Sequence, residues 1–211
     1  MNNILPDKIS RQLAELYRDM EYAYDEIAAE LGFSCTGCAD NCCDSYFVHH
    51  TYIEWAYLWE GLNLLDRARL GKIVERAHNY VRASERAWLR DKRPSIICPL
   101  NDEGLCTLYS HRLMICRLHG VPASMTRPDG KILEFPGCDR CQQMVGEMED
   151  PPRLDRTAVL QRLAGLEMDL LGPRRYVLPR VKKSIAEMIV HGPPLYLNRE
   201  FRAENYDSQK P

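Results

Sequence analysis

Cysteine spacing is the feature that most constrains what this chain can fold into. Four of its nine cysteines, Cys35, Cys38, Cys42 and Cys43, lie within nine residues in the string CTGCADNCC. The other five are Cys98, Cys106, Cys116, Cys138 and Cys141. A hydrophobic core does not require thiols this dense, whereas a single loop with this spacing can direct several sulfurs to one point. Because thiolates prefer soft metals, the pattern predicts a metal site for zinc, an iron–sulfur cluster or copper(I).

Composition indicates an ordinary soluble protein in a reducing compartment. Of the 211 residues, 45% are hydrophobic and 27% are charged, which is enough for one domain with a real core. The net charge of −2 argues against attraction of the whole protein to nucleic acid or to a membrane. The N-terminus has no secretory pattern, and no apolar stretch is long enough to span a membrane, so we expect a cytoplasmic protein. In the reducing cytoplasm stable disulfides are disfavoured, so cysteine pairs indicate metal binding or redox chemistry.

Apolar periodicity predicts a mostly α-helical fold. Asp7 is a candidate cap for the first helix and Gly32 its end, Thr51 and Glu54 have the form of a capping box, and Gly172 ends a late helix. The predicted helices span residues 7–31, 51–62, 64–91, 153–171 and 178–190. The inner face of the third is predicted to carry Ile73, Ala77, Tyr80, Val81, Ser84 and Trp88.

The middle of the chain differs from its flanks. Residues 95–145 carry five cysteines and many turns, and the string MTRPDGKILEF within them predicts a β-hairpin, because Pro-Asp-Gly favours a turn. We therefore expect a single domain over 1–211, in which bundle-like helical flanks pack around an irregular, metal-binding middle with a short β-hairpin. The cysteine-rich core covers about 33–145, the flanks are 7–31 and 153–191, and the tail 193–211 is expected to be irregular.

The first candidate site is an iron–sulfur centre. Cys35, Cys38 and Cys42 resemble the compact three-cysteine loops that hold a [4Fe–4S] cluster with a distant fourth ligand. Cys98 is a candidate for that ligand because Pro99 follows it, as in many ferredoxin clusters. The remaining cysteines would complete this site or form a second one: Cys43, Cys106, Cys116, Cys138 and Cys141.

Zinc is the alternative metal. The two CxxC pairs match the knuckles of a four-cysteine zinc site, although about a hundred residues separate them. The candidate nitrogen ligands are His49, His50 and His119. Arg112 and Arg117 flank Cys116 and are predicted to offset the negative charge of the thiolates, which would raise the reduction potential of an iron–sulfur centre.

Two blocks of sequence carry a family resemblance. The strings CTGCADNCCDSYFVHHTYIEW and CPLNDEGLCTLYSHRLMICRLHG resemble the YkgJ-type cysteine-cluster family, described as zinc- or iron-chelating proteins with a CxxCxxCC motif. Glu54 matches the family's acidic residue after the first cluster. The residues that fit the second block are Cys98, Pro99, Leu100, Gly104, Cys106, Leu108, Tyr109, Arg112, Cys116 and Arg117.

The resemblance covers about residues 33–141 and implies metal binding rather than a particular reaction. It departs from the family pattern at two points: three residues rather than two separate Cys38 from Cys42, and Leu113 replaces a frequent proline. The flagellin lysine-N-methylases look similar through a comparable cluster, which implies a cluster-dependent, protein-modifying enzyme as a further alternative. The third alternative is a thiol redox sensor that binds no metal.

Other function classes have little support in the sequence. No nucleotide-binding or hydrolase motif is present. The basic run from Arg67 to Arg93 is interpreted as a solvated helix face, which argues against a nucleic-acid partner.

Overall fold

The computed structural model describes residues 4–35, 42–194 and 197, with only the backbone of Cys42 described. It is 55% helical, so the prediction of a mostly α protein is confirmed. Its α-helices are α1 (Asp7–Glu30), α2 (Tyr52–Leu62), α3 (Arg67–Trp88), α4 (Met114–Leu118), α5 (Asp139–Val145), α6 (Thr157–Leu171) and α7 (Ile185–Val190). Its strands are β1 (Asn101–Asp102), β2 (Leu105–Cys106), β3 (Ala123–Thr126), β4 (Ile132–Phe135) and β5 (Leu154–Asp155). Across the described residues, none of the helices has the length and apolar character needed to cross a membrane.

Helix α1 confirms the first periodic segment. Leu13, Leu16 and Met20 are fully buried on one face, which packs against α4 and α6. Gly32 ends the helix with φ of +63°, a conformation that glycine adopts without the steric cost of a side chain. The predicted cap is wrong by one residue: Pro6 is the N-cap and makes no side-chain capping hydrogen bond, while Asp7 is already helical.

Helix α2 lies at the centre of the core, since ten of its eleven residues are buried. The indole N–H groups of Trp55 and Trp59 both donate to the carbonyl of Met188, at 3.1 Å and 3.0 Å, and so fix α2 against α7. At its N-terminus, the Glu167 carboxylate from α6 accepts hydrogen bonds from the backbone N–H groups of Tyr52 and Ile53, both at 2.8 Å. These contacts hold α2 rigidly between the C-terminal helices.

Helix α3 packs against α7 but is shorter than predicted. It begins after Asp66, whose carboxylate accepts from the Arg69 N–H at 2.8 Å, and it ends at Trp88. Ile73 and Tyr80 are buried as expected, whereas the Trp88 side chain, predicted on the inner face, is 49% exposed. Trp88 instead packs edge-on against Tyr46, because the core ends one turn earlier.

The last helix is also shorter than the predicted 178–190. Helix α7 covers Ile185–Val190 and begins at a complete capping box formed by Ser184 and Glu187. The preceding residues are held extended because Lys183 exchanges two backbone hydrogen bonds with His49 in an antiparallel bridge. Most of the predicted irregular tail, residues 195–196 and 198–211, lies outside the described residues.

The middle of the chain contains the predicted hairpin, formed by β3 and β4 with Ala123 opposite Phe135. Strand β5 adds to β3 in parallel, a pairing that no sequence pattern indicated. A second small hairpin of β1 and β2 was also missed. Its turn places Glu103 and Gly104 at φ of +51° and +90°, so that Cys106 lies opposite Asn101.

Candidate metal centre

Five thiols line one cavity of about 780 Å³: Cys35 and four others that come from four separate segments. Cys43 lies on a short 3₁₀ turn, Cys98 in the irregular segment after α3, Cys106 on β2 and Cys116 on α4. The backbone N–H of Cys98 donates to the carbonyl of Cys43 at 2.8 Å, which joins the first cysteine block to the second. We call Cys43, Cys98, Cys106 and Cys116 the cavity thiols.

The electrostatics of the cavity thiols show that they are mutual neighbours. Burial raises the pKa of Cys98 and Cys106, and raises that of Cys116 to about 12. Negative charge on Cys43 would raise the pKa of Cys98, Cys106 and Cys116 further, and charge on Cys106 would do the same for Cys98 and Cys116. A bound cation would remove this mutual penalty, since metal coordination stabilises the thiolate form.

The other three described thiols lie near Tyr24 of α1. Its hydroxyl lies 4.0 Å from the Cys35 sulfur, and its pKa is raised by burial and then by Cys35, Cys138 and Cys141. Burial, followed by Cys138 and Cys35, raises the pKa of Cys141 to about 11. Cys138 is the N-cap of α5, and its N–H donates to the Gly120 carbonyl at 2.9 Å. We call Cys35, Cys138 and Cys141 the Tyr24 thiols.

The structure thus groups the cysteines differently from the first candidate set. Cys98 lies with Cys43, Cys106 and Cys116, whereas Cys35 lies with the second CxxC pair while also lining the cavity. Cys38 and the side chain of Cys42 lie outside the described residues. Within the described ranges, no three His, Cys, Asp or Glu side chains stand in an arrangement that could already hold a metal ion.

Two arginines border the cavity thiols. The Arg117 side chain is 4% exposed and pairs with Glu21, while its guanidinium donates to the carbonyls of Arg112 and Ser110, both at 2.8 Å. It also stacks over the Tyr17 ring at 4.5 Å. Burial raises the pKa of Cys106, and the positive charges of Arg112 and Arg117 oppose that rise. Both arginines thus lie near the Cys106 thiol, and Arg112 also lies near the Cys116 thiol.

Glu54 has a larger role than its sequence motif indicated. Thr51 accepts the Glu54 N–H as a cap should, but the carboxylate points into the core instead of completing a capping box. It accepts the Thr51 hydroxyl at 2.8 Å and the backbone N–H of Met114 at 2.9 Å. Burial alone would raise its pKa, yet His49, Thr51 and Met114 together hold the pKa of Glu54 below its ordinary value. Because Met114 begins α4, this carboxylate ties α2 to the helix that carries Cys116.

The three candidate histidines occupy different environments. His49 is 3% exposed and lines the cavity, and His50 beside it is exposed. His119 also lines the cavity, with its ring 5.0 Å from that of Phe47, and its pKa is lowered by burial and by Arg156.

Comparison with known proteins does not assign this chain to a family. No family model matches the chain, and no curated protein or solved structure matches it either. The fold and the site define this chain as a mostly α-helical protein with a thiol-lined cavity.

Proposed function

We propose that this chain is a metal-binding protein whose centre, an iron–sulfur cluster, is held by thiolates in the cavity. The observation that carries the proposal is that the four cavity thiols, together with Cys35, line one cavity of about 780 Å³. Thiolates are the ligands of iron–sulfur clusters and of zinc, and ligands from distant segments make metal binding contribute to folding. The resemblance of both cysteine blocks to YkgJ-type proteins supports the same class.

The surroundings favour a cluster over a single zinc ion. A cluster with four thiolates carries net negative charge, and Arg112 and Arg117 beside Cys106 would offset it. Metal binding requires the cavity thiols to move closer to one another, because no group of described side chains already lies at ligating distances. Zinc is the second metal that this donor set would accept.

Removal of one cavity thiol tests the proposal. We expect protein purified without oxygen to be brown and to contain iron and sulfide, and we expect Cys98→Ser and Cys116→Ser to lose the visible absorption and at least half of the iron. Cys141→Ser changes a buried thiol of the other group and should keep both. Elemental analysis and absorption spectra measure this outcome.

Other results would change or reject the proposal. Stoichiometric zinc in a colourless protein would replace the cluster with the alternative metal. Folded protein that takes up neither iron nor zinc would reject metal binding and favour a thiol redox function. Loss of metal in Cys141→Ser but not in Cys116→Ser would move the centre to the Tyr24 thiols.

Arg117→Ala should weaken the centre. The substitution removes a buried positive charge beside Cys106 and Cys116, so we expect lower metal content or a more negative midpoint potential in the cluster that remains. Redox titration and metal analysis measure both effects. Arg153→Ala, which removes a cation from surface ion pairs with Glu134 and Asp150, is the matched control and should change neither. An Arg117→Ala protein with unchanged metal and potential would contradict the expectation.

A further inference from the structure

We propose that His49 supplies a nitrogen ligand to the metal held by the cavity thiols. The inference rests on the proposed function and deepens it, because it assigns the centre mixed sulfur and nitrogen coordination. Imidazole and thiolate together are an established donor set for zinc, and histidine replaces cysteine on one iron of some iron–sulfur clusters.

The first observation is an unpartnered buried atom. The His49 ring is 2% exposed, yet its Nε2 atom has no hydrogen-bond partner. A buried polar atom without a partner is destabilising, because it has lost its hydrogen bonds to water and gained none in return. The same residue lines the cavity that holds the thiols, and a metal ion bound beside the ring would give this nitrogen the partner it lacks.

The second observation is the carboxylate on the other side of the ring. His49 Nδ1 lies 3.8 Å from Glu54 Oε1, an ion-pair distance rather than a hydrogen bond. The Thr51 hydroxyl and the Met114 N–H both donate to the Glu54 carboxylate and hold it beside the ring. A carboxylate on this side favours the proton on Nδ1 and leaves the lone pair on Nε2. A carboxylate behind a histidine is the usual way in which proteins orient a metal-binding imidazole.

The third observation is the rigidity of the His49 backbone. Its N–H donates to the Lys183 carbonyl at 2.8 Å, and its own carbonyl accepts the Lys183 N–H at 3.1 Å. These two hydrogen bonds to the segment before α7 fix the position of the His49 backbone, from which the imidazole ring extends. His50 faces outward, and the His119 ring packs edge-on against Phe47, so neither matches this arrangement.

Nitrogen coordination can be measured directly on the full chain as purified without oxygen. With ¹⁵N-labelled histidine, pulsed EPR of a reduced cluster should show a strong coupling to one directly bound nitrogen; for a zinc protein, X-ray absorption should show sulfur and nitrogen neighbours. We expect His49→Gln to lose this nitrogen signal completely. His50→Gln and His119→Gln are the controls and should keep it.

Two outcomes would overturn the assignment while leaving the proposed function intact. One is all-sulfur coordination in the wild-type protein, a measurement that needs no variant to fold. The other is a nitrogen signal that survives in His49→Gln or disappears in His119→Gln. A chain that binds no iron or zinc at all would overturn the proposed function itself, so the two failures are distinguishable.

Discussion

Replacing Glu54 with alanine should lower the free energy of unfolding by about 3 kcal/mol, since hydrogen bonds to a buried charge each contribute about 1.5–3 kcal/mol. The carboxylate is 2% exposed and accepts from Thr51 and from the Met114 N–H. Alanine would leave the Met114 N–H without its acceptor and the His49 ring without the neighbouring carboxylate inside the core. Urea denaturation of the full chain followed by circular dichroism measures the loss.

Two comparisons make the Glu54 result specific. Glu75→Ala removes an exposed carboxylate from α3 and should change stability by less than about 0.5 kcal/mol. Glu54→Gln keeps one oxygen acceptor and should fall between alanine and wild type. Equal stability of the Glu54→Ala and Glu75→Ala proteins would show that the carboxylate does not join α2 to α4.

Replacing Gly137 with alanine should cost about 3 kcal/mol and disturb the Tyr24 thiols. Gly137 has φ of +87°, where a side chain costs about 1–2 kcal/mol. A Cβ there would also lie 2.5 Å from the Gly120 carbonyl oxygen, and such overpacking typically costs a further 1–3 kcal/mol. Relief requires backbone movement, and that same carbonyl accepts the Cys138 N–H. We expect an earlier urea midpoint and faster reaction of Cys138 and Cys141 with a thiol reagent.

Gly130→Ala separates the two causes of the Gly137 effect. Gly130 has φ of +81° in the β3–β4 turn, but nothing lies within 4 Å of a Cβ built there. Its alanine variant should therefore pay only the backbone cost of about 1–2 kcal/mol. If both variants lose the same stability, the close approach of Gly137 to Gly120 has no energetic consequence.

The helices were predictable where one local signal dominated. The long apolar face of α1, the Thr51 cap of α2 and the Pro-Asp-Gly turn between β3 and β4 are short-range patterns, and each is confirmed. Predictions failed where a distant segment decided the conformation. Residues before α7 are extended because Lys183 pairs with His49, and Trp88 is exposed because the core against α7 ends before it.

The same distinction between local signals and long-range packing applies to the candidate site. The sequence alone determined that the chain carries nine thiols in clustered spacing, and it predicts a soft-metal site from them because ligand chemistry depends on residue type and local spacing. Only the tertiary structure decided which thiols become neighbours: Cys98 joins Cys43, Cys106 and Cys116, and Cys35 joins Cys138 and Cys141 around Tyr24. It also decided that Glu54 lies behind His49 in the core instead of completing a helix cap. The physical reason is that these contacts arise from packing α1, α2 and α4 together, which no spacing along the chain specifies.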